Sequence, residues 1–148
     1  MLRPVQHPDT RFLRDMLRHA YHWRLALDPE LPVYRYVQNW GRRGDAGLVA
    51  FDGRNVYGAA WYRLFTAAEP GFGFVDEATP ELTIAVVPSH RGRGTGAELL
   101  EALLAQARAD GHTQVSLSAE PGQTHFYESH GFRRVGEADG AVTMTASL

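Results

Sequence analysis

No cysteine occurs among the 148 residues. Its absence removes disulfides, thiolate metal sites, cysteine nucleophiles and redox motifs together, and it fits a reducing compartment. Long apolar runs are missing as well: none approaches the ~18 residues that a membrane helix needs. The start of the chain, Met1-Leu2-Arg3-Pro4, carries no signal-peptide pattern, so the expected address is the cytoplasm. There is no excess of positive charge. Lys and Arg number 15 against 17 Asp and Glu, for a formal net charge of −2. A domain that binds nucleic acid through its surface is usually clearly basic. Neither a nucleic acid nor a membrane is therefore expected as a partner.

What is present is ordinary for a globular chain: 44% hydrophobic and 22% charged residues. The length suits one domain over residues 1–148, long enough to bury a core without staples. Asp9 and Thr10 are candidate caps for a first helix, in which Phe12, Leu13, Met16, Leu17, Ala20 and Tyr21 recur at helical spacing. Asp28-Pro29-Glu30 reads as a second helix start. Val33, Tyr36, Val37 and Trp40 form its apolar stripe and Gly41 its stop. Ala46 to Phe51 and Val56 to Phe65, joined at Asp52-Gly53, read as a β-hairpin. A glycine- and proline-bearing loop follows from Ala67 to Pro80. Leu82 to Val87 is a buried strand by its continuous apolar run. A helix is expected from Ala97 to Ala109, a strand over Val115 to Leu117 and a short helix over Gln123 to Ser129. Phe132 to Val135 and Ala141 to Thr145 should pair across Asp139-Gly140. This order predicts an α/β mixture around a mixed sheet with one parallel crossover.

The chemistry concentrates between Leu82 and Gly96. A buried strand ends, the basic glycine-rich stretch Pro88-Ser89-His90-Arg91-Gly92-Arg93-Gly94-Thr95-Gly96 follows, and a helix begins. A helix start presents unpaired N–H groups and partial positive charge. Gly92, Gly94 and Gly96 hold no side chain in a ligand's way, and Arg91 and Arg93 add full charge. Together these make a site for a pyrophosphate or similar anion. Thr95-Gly96-Ala97-Glu98 also fits a capping box, which would close the helix start internally. A P-loop is excluded, because no Gly-Lys-Ser/Thr ends the stretch. The dinucleotide fingerprint is a nearer rival: Gly92-x-Gly94-x-x-Ala97 has its glycines and Glu120 follows a second strand. However, Pro88 to Arg91 intervene between strand and first glycine.

Arg91-Gly92-Arg93-Gly94-Thr95-Gly96 also matches Arg/Gln-x-x-Gly-x-Gly/Ala in full. With Leu82 to Pro88 before it and Phe126-Tyr127-Glu128-Ser129-His130-Gly131-Phe132 after it, the sequence resembles the GNAT family, the Gcn5-related N-acetyltransferases. The resemblance runs from about Ala46 to Val135. It implies the GNAT fold: a central mixed, mostly antiparallel sheet with splayed parallel strands, flanked by helices. It also implies acetyl-CoA as co-substrate, no metal, and direct acetyl transfer to a primary amine of a small molecule or peptide, by a monomer or homodimer. Arg91, Gly92, Arg93, Gly94, Thr95, Gly96 and Ala97 would bind the pyrophosphate. Ile84, Ala85, Val86 and Val87 would offer backbone groups to the pantetheine arm. The sequence departs from the family at Glu120 and Gln123, where many members carry Asn and Ala.

Tyr127 is the candidate general acid, since a phenol of pKa about 10 stays protonated at neutral pH and can serve a leaving thiolate. Glu81, opening the buried strand where some members carry such a glutamate, is the candidate base, with Asp76 and Glu77 behind it. Burial at that position would raise its pKa. Two other classes compete: an acyl-CoA sensor of the same fold without turnover, and a nucleotide-dependent oxidoreductase using the Gly92 turn. His19 and His22 are three apart, but no third metal ligand is in view. Ser116 and Ser118 alternate on a strand without a His–Asp partner. Trp23, Tyr34, Tyr36, Trp40, Trp61 and Tyr62 read as core, some of them lining an acceptor pocket if the family resemblance holds.

Overall fold

Alternating and continuous apolar runs become seven strands, and the 3.6-residue stripes become helices packed beside them. The computed structural model describes residues 1–138 and 140–148, with Leu27 through its backbone only. In hydrogen-bonding order the strands are β1 (Leu2–Pro4), β2 (Ala46–Asp52), β3 (Asn55–Arg63), β4 (Glu81–Val86), β5 (Gln114–Ala119), β7 (Ala141–Ser147) and β6 (Arg133–Ala138). By internal contacts the chain forms two compact units, Met1–Tyr62 with Thr83–Leu103, and Arg63–Leu82 with Leu104–Leu148.

In the first unit, β1 (Leu2–Pro4) pairs antiparallel with β2 (Ala46–Asp52), Leu2 opposite Ala50 and Pro4 opposite Leu48. β2 pairs with β3 (Asn55–Arg63) from Ala46↔Tyr62 to Asp52↔Asn55, with a register shift between Ala50 and Phe51. The expected hairpin is there. β1 has no counterpart in the sequence reading, because three residues ending in proline carry no alternation to read. Proline is tolerated in it because β1 is an edge strand.

The first helix, α1 (Thr10–Leu27), buries Leu13, Met16, Leu17 and Tyr21. It runs past the expected stripe through a kink at Tyr21, whose φ of −124° and ψ of 18° are not helical. Two contacts hold this kinked residue: its hydroxyl lies 2.9 Å from Thr83 Oγ1, and its ring 5.0 Å from that of Tyr36. The second helix is corrected. Only one 3₁₀ turn forms, Val33–Tyr36. Prolines at 29 and 32 remove two donors, and a residue before proline is pushed out of the α region. The apolar stripe is still buried at Val33, Tyr36 and Val37.

The cap expectation also changes. Asp9 makes no side-chain cap on α1; its side chain instead joins Gln6 in a capping box on the preceding 3₁₀ turn, His7–Asp9. Its carboxylate takes two hydrogen bonds from Arg3, at 2.8 and 3.0 Å, and one from the Gln6 N–H at 2.8 Å. The Arg3 hydrogen bonds, with the Gln6 N–H and the Arg3 charge, hold the Asp9 carboxyl below its ordinary 3.8, against the opposing effect of burial. A depressed carboxyl contributes stability that is complete above the unfolded value and is lost as pH falls through the folded one. Asp9→Asn is therefore expected to lower Tm at pH 6. The gap to wild type should close as pH drops below about 3.8. Melting curves between pH 2 and 6 check this; a gap that persists at pH 2 would contradict it.

β4 (Glu81–Val86) leads through a 3₁₀ turn, Pro88–His90, into α2 (Thr95–Ala109). Leu99, Leu100, Leu103, Leu104 and Ala107 of α2 are all buried, as its stripe predicts; each of the leucines contributes about 1.5–3 kcal/mol of burial. In the second unit, β5 (Gln114–Ala119) pairs with β7 (Ala141–Ser147) from Gln114↔Ser147 to Ala119↔Val142. The short α3 (Thr124–Glu128) precedes β6 (Arg133–Ala138), which pairs with β7. Asp139, half of the expected turn, lies outside the described residues. β4 and β5 are parallel and register at one position, Glu81 opposite Ser116. The strand order and the parallel β4–β5 pair match the fold class expected. Among the described residues no helix is long and apolar enough to cross a membrane.

Candidate active site

The candidate cofactor-binding residues lie on the first unit. Ile84, Ala85 and Val86 lie on β4, and Val87 follows it with its N–H on the Tyr57 carbonyl at 2.9 Å. The chain then turns through two left-handed glycines, Gly92 at φ +77° and Gly94 at φ +78°. Nothing lies within 4 Å of a Cβ added at either. The loop thus bares backbone on an open side, which a residue with a side chain would occupy. Arg91, Gly92, Arg93 and Gly94 are exposed. Arg91 Nε donates to the Val86 carbonyl at 3.0 Å, which orients the guanidinium before any ligand arrives.

Thr95 is the first helical residue of α2, not its cap, so the expected capping box gives way. The Glu98 N–H bonds the Gly94 carbonyl at 3.1 Å. The first-turn N–H groups of Thr95, Gly96 and Ala97 have no acceptor within the helix, as at any helix start. These residues fit an anionic group of pyrophosphate size: fixed N–H donors, a helix dipole and two guanidiniums on one short stretch.

The His90 ring stacks on Tyr57 at 4.3 Å and 14°. His19 of α1 is held below the ordinary 6.5 mainly by burial, then by the positive charges of Arg91 and His22. Only the folded chain brings His19 near the loop, since they lie 72 positions apart in the sequence (91 − 19).

The candidate catalytic side chains belong to the second unit. Glu81 is 1% exposed, and its Oε1 accepts the Gly73 N–H at 3.0 Å. Gly73 packs so closely on β5 that a Cβ there would meet the Leu117 carbonyl carbon at 2.5 Å. The connection from Leu64 to Pro80 is thereby fixed at its middle by one glycine and one carboxylate. The sequence signal for this was Gly71-x-Gly73 in an otherwise unassigned loop. Asp76 and Glu77 are exposed, and they bond backbone N–H groups of their own loop, at Ala78 and Ala67.

Tyr127 lies on α3, half-buried, with its ring edge-on to Phe126 at 5.1 Å and to Phe132 at 5.8 Å. Desolvation pushes its phenol up to about 12. Ser116, 0% exposed, has no hydrogen-bond partner for its hydroxyl among the described residues. Glu120 and Gln123 flank the turn that leads into α3. Among the described residues no three His, Asp or Glu side chains group as metal ligands do.

Residues 43–134 match the Acetyltransferase (GNAT) domain family. The chain belongs to this family. An uncharacterized N-acetyltransferase of Bacillus subtilis (strain 168), YjcF, is 29% identical over 92 residues, covering 62% of this chain and 59% of the relative. The matched part is thus about three-fifths of the length of that curated relative. Among solved structures, the GNAT domain of S. lividans PAT superposes with a TM-score of 0.71 at 21% identity, covering 99% of this chain and 89% of that one. A GNAT superfamily phosphinothricin acetyltransferase from Sinorhizobium meliloti, solved in complex with acetyl-CoA, gives 0.68 at 22% identity, covering 100% and 88%. These structural likenesses show the fold.

Proposed function

We propose that this chain is a single acetyl-CoA-dependent N-acetyltransferase domain that transfers an acetyl group directly to a primary amine in a ternary complex. The observation that carries the reading is the loop from Arg91 to Ala97, with two left-handed glycines open to solvent, two arginines and a helix start in seven residues. Gly92, Gly94 and the α2 N–H groups hold the pyrophosphate, with Arg91 and Arg93 screening its charge. Ile84 to Val87 offer backbone groups to the pantetheine amides. When bound, acetyl-CoA supplies the acetyl group as a thioester and leaves as a thiolate. A β4 N–H polarises the carbonyl, and Tyr127 donates a hydrogen bond to the departing sulfur.

Glu81 is the base in this reading. It is buried, so it works through water. Glu81→Gln is expected to keep acetyl-CoA binding and lose turnover, most at low pH, and to recover in part as pH rises and the amine sheds its own proton. A pH–rate profile beside wild type checks this. Curves that differ by a constant factor would make Glu81 a clamp on Gly73 that takes no proton.

The direct test of the function is twofold. Acetyl-CoA at a hundred times Kd stabilises the folded chain by about 2.7 kcal/mol, which raises Tm by about 5–10 °C at this size. Free thiol should then appear with at least one member of an amine panel. Stabilisation with no thiol release on any amine would leave an acyl-CoA sensor, and no stabilisation would end the reading.

A further inference from the structure

On the first unit, α1 and residues 29–34 enclose a cavity of about 250 Å³. Its walls are apolar at Leu17, Leu31 and Val33, of which Leu17 and Val33 are buried in the core. Arg14 and Arg18, four apart on α1, also line it, and both are exposed. Tyr34 lines it too; it is 58% exposed, with the Arg14 guanidinium 5.9 Å from its ring centre.

This arrangement favours an anion. Like charges at i and i+4 on a helix repel, and among the described residues neither arginine has a carboxylate partner. Asp15 also lines the cavity, so the charge of the lining is 2 − 1 = +1, which suits a monoanion better than a phosphate dianion. Paired guanidiniums match the two oxygens of a carboxylate, and an exposed phenol ring beside apolar walls suits a flat or branched apolar body. The volume equals about eight waters at ~30 Å³ each, room for about ten non-hydrogen atoms.

The cavity is distinct from the cofactor loop. His19, which feels the charge of Arg91, follows Arg18 directly and so points about 100° round the helix from it.

We propose that this cavity binds a small apolar carboxylate, its carboxylate between Arg14 and Arg18 and its body against Leu17, Leu31, Val33 and Tyr34. The ligand is either an amine-bearing carboxylate that serves as acceptor or a carboxylate effector.

The test is a calorimetric titration of the full chain with 3-phenylpropionate and its neutral isostere 3-phenylpropionamide. The carboxylate should bind saturably and at least tenfold tighter than the amide, because a charged hydrogen bond is lost in the isostere. Arg14→Ala and Arg18→Ala should each weaken the carboxylate about tenfold, and the amide hardly at all. Both residues are exposed, so the variants should fold, and melting curves check that. Gly94→Asp should leave carboxylate binding intact even where it abolishes the response to acetyl-CoA, which keeps this inference separable from the enzymatic one. L-phenylalanine with acetyl-CoA distinguishes the sources: thiol release marks an acceptor, and saturable binding without release marks an effector. No saturable binding at millimolar 3-phenylpropionate, equal affinity for the amide, or indifference to both arginine variants would overturn the proposal.

Discussion

Replacing Tyr127 by phenylalanine is expected to lower turnover by roughly 10²–10³-fold, the size seen when one donor to a developing anion is removed. The substitution keeps the ring, and with it the edge-on contacts to Phe126 and Phe132, so folding and acetyl-CoA affinity should change little. The direction of the phenol's shift defines what is lost. At about 12 it is a weaker acid than a thiol near 8.5. Tyr127 therefore donates a hydrogen bond to the sulfur more readily than it surrenders its proton. Two measurements separate these roles. The rate of the phenylalanine variant should fall without any change in the alkaline limb of the pH profile, because a phenol raised this far does not titrate below about pH 11. A wild-type limb near pH 9 that vanishes in the variant would show a full proton transfer instead. Equal turnover in both proteins would remove Tyr127 from the reaction.

Gly94→Asp should abolish the acetyl-CoA response in a chain that still folds. Gly94 sits at φ +78° with open space where a side chain would go. Aspartate tolerates the left-handed region better than most residues, at a cost of about 1 kcal/mol. Its carboxylate would stand on the open side of the loop, where the pyrophosphate is proposed to bind. Two like charges about 4 Å apart repel by about 4 kcal/mol at the effective dielectric of a protein surface, a factor of about a thousand in affinity. Gly94→Ala carries the backbone strain without the charge and should lose far less. Thermal shifts of the three proteins with acetyl-CoA decide the point. A folded Asp variant with an undiminished response would end the pyrophosphate assignment, and an Ala variant that fails equally would assign the effect to backbone geometry.

Much of this was legible from local patterns. The stripe from Leu99 to Ala107, the hairpin across Asp52-Gly53 and the continuous apolar strand before Pro88 each specify their element through neighbours in sequence, and each is found. The second helix was misread for a local reason of another kind: its apolar spacing was right, but prolines at 29 and 32 outweighed it and left one 3₁₀ turn. Asp9 looked like a cap because aspartate before a helix usually is one. Arg3, six residues away and held on β1, took its carboxylate instead.

From the sequence alone came the family, the loop of glycines and arginines after a buried strand, and the order of helices and strands from Ala46 onward. Those depend on spacing within a dozen residues, where covalent geometry limits the outcomes. Tertiary structure alone decided that Glu81 is buried against Gly73, that Gly73 must lack a side chain because it meets Leu117, and that His19 faces the charge of Arg91. It alone built the cavity between Arg14, Arg18 and Tyr34. Each of these joins residues from 8 to 72 positions apart (81 − 73 and 91 − 19). Their meeting depends on how whole elements pack, and desolvation, which sets the Tyr127 and His19 protons, exists only once that packing has excluded water.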